Sequence, residues 1–261
     1  QPLPSVTLVG VKYHENRLKV IIMTKYTSAL ALAIAMASGS AMANDALIDQ
    51  IGDNYEASID QSGAINNATV IQSGGSNGLG EITQSGDENS ASITQLNISS
   101  GQTFATVEQI GDRNDASVSQ KQNGKKQATV FQDGNDNSAS VDVSGFGDFN
   151  ADISQVGNGN DASIDQSQLG APTSASIAQE GDDNKASVNI VSGGGAHEAT
   201  INQDGNSNVA DIDIRHAKGN VAQIDQVGNT NTATIDIFTS NNGFADISQI
   251  GNDNLGSITQ Q

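Results

Sequence analysis

The chain has no cysteine and no tryptophan, and aromatic residues make up only 3% of its 261 residues. The absence of cysteine excludes a disulfide framework and any zinc site built on thiolates. The scarcity of aromatic residues argues against a conventional core of large side chains. Basic residues are few, because 11 Lys and Arg stand against 30 Asp and Glu, a net charge of −19. Such a surface repels phosphate, so nucleic acid is excluded as a partner.

A five-residue pattern, A-x-[IV]-x-Q, recurs nineteen times between residues 46 and 260. A clear copy is Ala116–Gln120. The middle position is Ile or Val in all nineteen copies, and the fifth position is Gln in fifteen. The four exceptions are Val143, Ile190, Ile214 and Ile237. High charge and few aromatics are otherwise typical of disorder, but a fixed period indicates a folded repeat protein.

Residues 23–43 have the features of a secretory signal peptide. Lys25 supplies its basic start, a short apolar run follows, and Ala41 to Ala43 form a cleavage motif that predicts a mature start at Asn44. An anchor helix is the alternative. Residues 1–22 fit no repeat and form an upstream extension of uncertain status. Residues 44–261 carry seven basic and 29 acidic residues, a net charge of −22, and no transmembrane segment is predicted.

Each repeat alternates inward apolar or amide residues with Ser, Thr or Asp, which predicts a short strand with one buried face. Ten of the connections have six residues and the other eight have seven to nine, and the two kinds alternate from residue 62 onward. The unit is therefore strand, short turn, strand, longer turn. One unit cannot bury its own narrow face, so units must stack. The sequence predicts an all-β solenoid of about nine turns, whose two strands per turn form two facing parallel sheets.

The short turns share the signature Gln-x-Gly-x-x-Asn-x-Ala, which stacking would align into columns. Buried amides need hydrogen-bond partners, and Gln and Asn ladders supply them. The predicted amyloid-core ladder comprises Gln61, Gln84, Gln109, Gln132, Gln155, Gln179, Gln203, Gln226 and Gln249 with Asn66, Asn89, Asn114, Asn137, Asn160, Asn184, Asn208, Asn231 and Asn254. The turn glycines, which need backbone conformations closed to other residues, are Gly63, Gly86, Gly111, Gly134, Gly157, Gly181, Gly205, Gly228 and Gly251.

This spacing resembles the curlin repeat of the major and minor curli subunits, and the resemblance covers residues 46–261. It implies a structural subunit of secreted functional amyloid fibres, exported through the periplasm to the cell surface, in adhesion and biofilm matrix. The implied partners are other copies of the chain, a nucleator subunit and the outer-membrane curli export machinery. The chain departs from the family in its repeat number and in lacking a Gly- and Asn-rich export segment before the repeats.

Other functions find little support in the sequence. His197 and His216 lie in long connections without a second His at metal-ligand spacing, and residues 133–137 lack the remaining positions of an EF-hand. We therefore predict no catalytic site, no metal site, no cofactor and no enzymatic activity. Two alternatives remain: a minor nucleator, or a monomeric secreted solenoid that binds a ligand or polysaccharide. The outward Asp residues have two possible roles. They keep the protein soluble, or they slow assembly because like charges stacked in register repel each other.

Overall fold

The computed structural model describes residues 7–14, 17–24, 44–97, 101–192, 194–216 and 218–261. The predicted signal peptide lies outside these residues except for Met23 and Thr24. The described part consists of strands and connections, and it contains no helix long and apolar enough to cross a membrane. The strands are β1 (Thr7–His14), β2 (Arg17–Thr24), β3 (Asp45–Asp53), β4 (Tyr55–Ser62), β5 (Asn67–Ser76), β6 (Gly78–Ser85), β7 (Ser90–Leu96), β8 (Thr103–Ile110), β9 (Asp115–Lys121), β10 (Lys126–Asp133), β11 (Ser138–Phe146), β12 (Phe149–Val156), β13 (Asp161–Leu169), β14 (Thr173–Glu180), β15 (Lys185–Ser192), β16 (His197–Asp204), β17 (Val209–Arg215), β18 (Val221–Val227), β19 (Thr232–Phe238), β20 (Phe244–Ile250) and β21 (Leu255–Gln260).

The nineteen repeat strands form two sheets. Sheet A contains the even-numbered strands from β4 to β20, and sheet B contains the odd-numbered strands from β3 to β21. Neighbouring repeat strands are parallel and in register, so that Ala128, Val130 and Gln132 of β10 lie beside Ala151, Ile153 and Gln155 of β12. The chain crosses to the other sheet after every strand. The predicted all-β solenoid of about nine turns with two parallel sheets is therefore confirmed.

Alternation along each strand produces the core. In β8, residues 103, 105, 107 and 109 are buried while residues 104, 108 and 110 are exposed. The buried Ala and Ile or Val residues of both sheets form one continuous cluster that runs the length of the solenoid. Small and β-branched side chains suit this narrow space, because the facing sheets of such a structure lie about 10 Å apart.

The strands are longer than the five-residue repeats, with six to ten residues each. The extra pairing comes from the turns, which stack on one another as the strands do. The N–H of Gly86 donates to the carbonyl of Ser62 at 3.0 Å, and the N–H of Gly111 donates to that of Ser85 at 2.8 Å. Stacked turns satisfy backbone groups that a loop would leave to water. One consequence is that Ser192, which follows the repeat copy Ala186–Ile190 and is therefore assigned to a connection by the repeat pattern, ends β15.

The N-terminal end of sheet A differs from the sequence expectation. The first repeat strand β3 is an open edge of sheet B, as expected, but β4 is covered by β2. β2 lies antiparallel to β4 with Arg17 opposite Ser62 and Thr24 opposite Tyr55. β1 then pairs with β2, again antiparallel. Residues 7–24 contain no copy of the repeat, so this hairpin was not predicted.

Candidate functional site

The nine ladder glutamines of sheet A stand in one column along the solenoid axis. They are between 0% and 6% exposed. The side-chain Nε2 of each donates to Oε1 of the next glutamine, at 2.8 Å from Gln61 to Gln84 and at 2.8–2.9 Å in the seven bonds that follow. All donors point toward the C-terminal end, so the column has a direction: it begins with an acceptor at Gln61 and ends with a donor at Gln249.

Each of these amides also connects the two sheets. Nε2 of Gln109 donates to the carbonyl of Ser90 at 2.9 Å, and Nε2 of Gln155 donates to that of Ser138 at 2.9 Å. The accepting residue precedes or begins a sheet B strand. Both N–H groups of an interior glutamine are thereby used, one along the axis and one across it. Because an unpaired buried amide costs about 1–3 kcal/mol, the column is stable only while the strands remain stacked.

Sheet B carries a broken version of the same column. Gln50, Gln72, Gln95 and Gln120 are linked by three bonds of 2.6–2.9 Å. The column then continues through Val143, Gln166, Ile190, Ile214, Ile237 and Gln260. Each sheet therefore contains its own glutamine column, and the predicted amyloid-core ladder is the continuous one in sheet A.

Within the part of the chain that the structure describes, four glutamine side-chain oxygens are buried without a hydrogen-bond partner, those of Gln50, Gln61, Gln166 and Gln260. All four lack a glutamine on the preceding strand of their sheet. Gln50 and Gln61 begin the two columns of repeat strands, whereas Gln166 follows Val143 and Gln260 follows Ile237. The orphaned acceptors are thus a direct consequence of the ladder's direction.

The predicted asparagines form a second column at the entry to sheet B. The backbone N–H of each donates to Oδ1 of the preceding asparagine, as from Asn160 to Asn137 at 3.0 Å. Its Nδ2 donates to the carbonyl of a turn glycine one level on, as from Asn160 to Gly181 at 2.7 Å. Asn44 is an additional first member, since it accepts from the N–H of Asn66 at 3.0 Å. The column thus ties each short turn to the next.

All nine predicted turn glycines have positive φ, between 103° and 132°. Eight of them, from Gly63 to Gly228, also lie so close to the next turn that a Cβ would overlap the carbonyl oxygen of the next turn glycine. Only glycine permits both the conformation and this approach. Gly251 has no turn stacked on it within the chain, and the nearest atom to a Cβ there is Nδ2 of Asn254 at 3.6 Å.

The first residues of the sheet A strands also form a column, but their types differ and the repeat spacing did not predict it; Thr103, Lys126, Phe149, Thr173 and His197 are members. It contains Lys126, which is 1% exposed and donates through Nζ to the carbonyls of Gln122, Asn123 and Gly145 at 3.0–3.2 Å. Nζ also lies 5.2 Å from the centroid of the Phe149 ring. A groove of about 690 Å³ passes beside it, with Phe104 and Glu198 among its lining residues. Burial of the ammonium lowers the pKa of Lys126 to about 8, although Asp148 opposes the shift.

Because the ammonium of Lys126 is buried, we predict that the free energy of unfolding rises with pH. The folded-state pKa lies below the ordinary value of 10.5, so the destabilisation is complete below pH 8 and is relieved as pH rises from 8 to 10.5. The change is on the order of 3 kcal/mol at most. The urea midpoint of soluble 44–261 should increase from pH 7 through pH 8.5 to pH 10. Lys126→Thr, which copies Thr103 on the neighbouring strand, should flatten the increase. An equal slope in both proteins would contradict this role for Lys126.

The chain was compared with curated proteins and with protein-family models. A search of curated proteins finds no match to the chain. The family model described as the Curlin associated repeat matches residues 75–121, which span β6 to β9. That stretch contains two complete Gln-x-Gly-x-x-Asn-x-Ala turns, and the flanking turns repeat their geometry. The resemblance seen in the sequence is therefore confirmed: residues 75–121 match the curlin repeat, and the β-solenoid that contains them is curlin-like.

Proposed function

We propose that the chain is a structural, non-enzymatic subunit of secreted, curli-like amyloid fibres that serve cell adhesion and biofilm matrix. The observation that carries this proposal is the state of the solenoid ends. At the C-terminal end β20 and β21 are edge strands of the two sheets, and at the other end β3 is an edge of sheet B. These edges present unpaired backbone groups in the register of the repeat, and such edges are templates for further strands. The curlin match supports the same role.

Fibre diffraction tests the proposal. Purified 44–261, folded and concentrated, should form fibres with a meridional spacing of about 4.7–4.8 Å, because each turn adds one strand to each sheet along the axis. A folded, monomeric protein without that reflection at high concentration would favour the monomeric binding solenoid instead. Export through an outer-membrane pore and growth from a nucleator belong to the proposal and follow from the curlin likeness alone.

Charge repulsion should govern how fast these fibres grow. Residues 44–261 carry a net charge of −22, and the register stacks Asp142 on Asp165 and Asp213 on Asp236. Burial and the neighbouring Asp142 raise the pKa of Asp165, while Lys121 opposes them. Protonation of Asp165 is therefore favoured in the folded state, and the stability it contributes grows as pH falls through the raised pKa.

We expect assembly to be several-fold faster at pH 5 than at pH 7.5, and faster in high salt at pH 7.5, since both changes weaken repulsion. Dye-binding kinetics measure both. Asp165→Asn should reduce the pH effect, with Ser163→Asn on the same outward face as the matched control. Rates that stay flat or fall along both axes would show that charge does not slow assembly.

A further inference from the structure

The groove of about 690 Å³ beside Lys126 runs along the outer face of sheet A, where its strands begin. At each of its four central levels it is lined by three consecutive residues, a buried one and its two outward neighbours, as in Lys125, Lys126 and Gln127. Because successive residues of a strand point to opposite sides, the outward neighbours form two walls and the backbone of the buried residue forms the floor. The groove extends from Phe104 of β8 to Val221 of β18, five strand spacings or about 24 Å.

The groove lies toward the edge of the solenoid that is formed by the connections from sheet B to sheet A, here called the long-turn edge. These nine connections, from 51–56 to 238–244, contain five basic and four acidic residues. The nine six-residue turns of the opposite edge, from 62–67 to 250–255, contain two basic and 12 acidic residues. In a protein with a net charge of −22, the long-turn edge is therefore close to neutral, and an uncharged partner can approach it without displacing a layer of counterions.

The exposed phenylalanines of the described residues lie at this same edge. Four of them are 40–63% exposed, Phe104 in the groove and Phe146, Phe238 and Phe244 at other connections. His216 packs edge-on against Phe238, with 5.3 Å between the ring centroids. Aromatic residues are only 3% of the chain, so their concentration on one edge distinguishes it from the rest of the surface. Exposed apolar groups that cluster in this way mark binding surfaces.

Polar side chains without net charge line the middle of the groove. Gln127, Asn150 and Ser174 stand on its strand side at three successive levels. Nδ2 of Asn150 donates to Oδ2 of Asp152 at 2.7 Å, which fixes the carboxamide and leaves its Oδ1 as an acceptor. The charged lining residues are two acidic and two basic, so they balance. Amides and hydroxyls both donate and accept hydrogen bonds, and they therefore suit a ligand that carries many hydroxyl groups.

Other linear polymers fit this position poorly. A peptide that adds to a sheet needs an edge strand, whereas every strand under the groove is paired on both sides. Its buried main-chain groups would each lose water without a partner, at about 1–3 kcal/mol. An anionic polymer needs accessible cations. Here the ammonium of Lys126 is buried against three carbonyls, and Asp148 accepts from the backbone N–H of Lys125 at 3.2 Å. A cationic polymer would prefer the acidic opposite edge.

We infer that the groove binds a linear, uncharged polysaccharide that runs parallel to the solenoid axis. The apolar C–H faces of its sugar rings pack on Phe104, and its hydroxyls bond to Gln127, Asn150 and Ser174. An extended chain of pyranoses advances by roughly one strand spacing per sugar, so successive sugars meet successive levels and the groove holds about five. The inference deepens the proposed matrix function, on which its biological role rests. The groove itself lies on the flank of one copy and does not depend on how copies join, so soluble protein is expected to bind.

The first experiment titrates soluble 44–261 with three uncharged hexasaccharides, cellohexaose, laminarihexaose and maltohexaose, by NMR or calorimetry. At least one should bind with a Kd below about 1 mM. Hexagalacturonate, the anionic comparison, should bind about tenfold more weakly than the best of them, and an uncharged hexapeptide of Ser and Gln should not bind. The inference is overturned if all three hexasaccharides fail, or if hexagalacturonate or the peptide binds as tightly as the best of them.

The second experiment locates the binding with matched pairs of variants. Phe104→Ala should weaken the best hexasaccharide about fivefold, because a stacking ring is lost. Phe131→Ala, on the outer face of the same sheet but outside the groove, should leave binding unchanged. Asn150→Ala should weaken it about threefold. Its control is Gln223→Ala, which also loses a bond to a carboxylate two residues on. Thermal unfolding confirms that all four variants fold. Parental affinity in both groove variants would place the sugar elsewhere and overturn the inference.

Fibres separate this inference from the proposed function. If 44–261 forms fibres, each copy contributes one groove, so fibres should bind an insoluble form of the same glycan at least tenfold more tightly than soluble protein does, through multivalency alone. Fibres of Phe104→Ala should lose most of this binding. If no fibres form but the soluble protein binds the sugar, the proposed function fails and the inference stands. If fibres form and no hexasaccharide binds, the inference fails and the proposed function stands.

Discussion

Replacing Ile258 by proline is expected to slow fibre growth of 44–261 at least tenfold. Ile258 is the centre of β21 and lies in register with Ile235 of β19. Proline removes a backbone donor and fixes φ, which a strand paired on both sides does not tolerate. In the proposed fibre β21 is such a strand, with β19 on one side and a strand of the next copy on the other. Lag time and elongation rate, on protein of verified mass, measure the effect.

The matched control places proline where the fold already accepts it. Pro172 immediately precedes β14, and Ala196 holds the equivalent position before β16, because Thr173 lies in register with His197. Ala196→Pro should therefore grow near the parental rate. Gln226→Ala with Gln249→Ala should fall between, since it removes two glutamine–glutamine hydrogen bonds and two cross-sheet hydrogen bonds but keeps every hydrogen bond between backbone groups. Parental growth of Ile258→Pro would show that fibres form through some contact other than the solenoid ends.

The columns were predictable because sequence period and structural period coincide. A fixed Gln-x-Gly-x-x-Asn-x-Ala spacing sets the register, and alternation sets which side chains face inward. This is why Gln155, Asn160 and Gly157 lie where the sequence placed them. Asn44 was not included in the predicted asparagine column because no repeat strand precedes it. Its spacing to Ala46 nevertheless equals that of Asn160 to Ala162.

Two further differences, at Lys126 and at Ser192, have their physical origin in the long connections. Their lengths vary from seven to nine residues, so no column could be aligned by spacing, and the buried position of Lys126 had no signal in its surroundings. Lysine is rarely buried, and it is tolerated here because three carbonyls accept from its ammonium. Ser192 was misplaced for a related reason: turns that stack extend the pairing beyond the pattern that defines the strand.

Stacking of the turns leads to the second large effect, at Gly157. Gly157→Ala is expected to lower the free energy of unfolding of soluble 44–261 by about 3 kcal/mol more than Gly251→Ala. Both glycines have nearly the same φ, 121° and 113°, and both are followed by Asn. The two variants therefore share the conformational strain of alanine at positive φ. They differ in the turn that stacks on them. A Cβ at Gly157 would overlap the carbonyl oxygen of Gly181 in the next turn, whereas a Cβ at Gly251 would contact only Nδ2 of Asn254, at 3.6 Å.

Urea denaturation of the two soluble monomers measures this difference. Equal destabilisation by the two substitutions would mean that the turns are held by their own conformation and not by contact with one another.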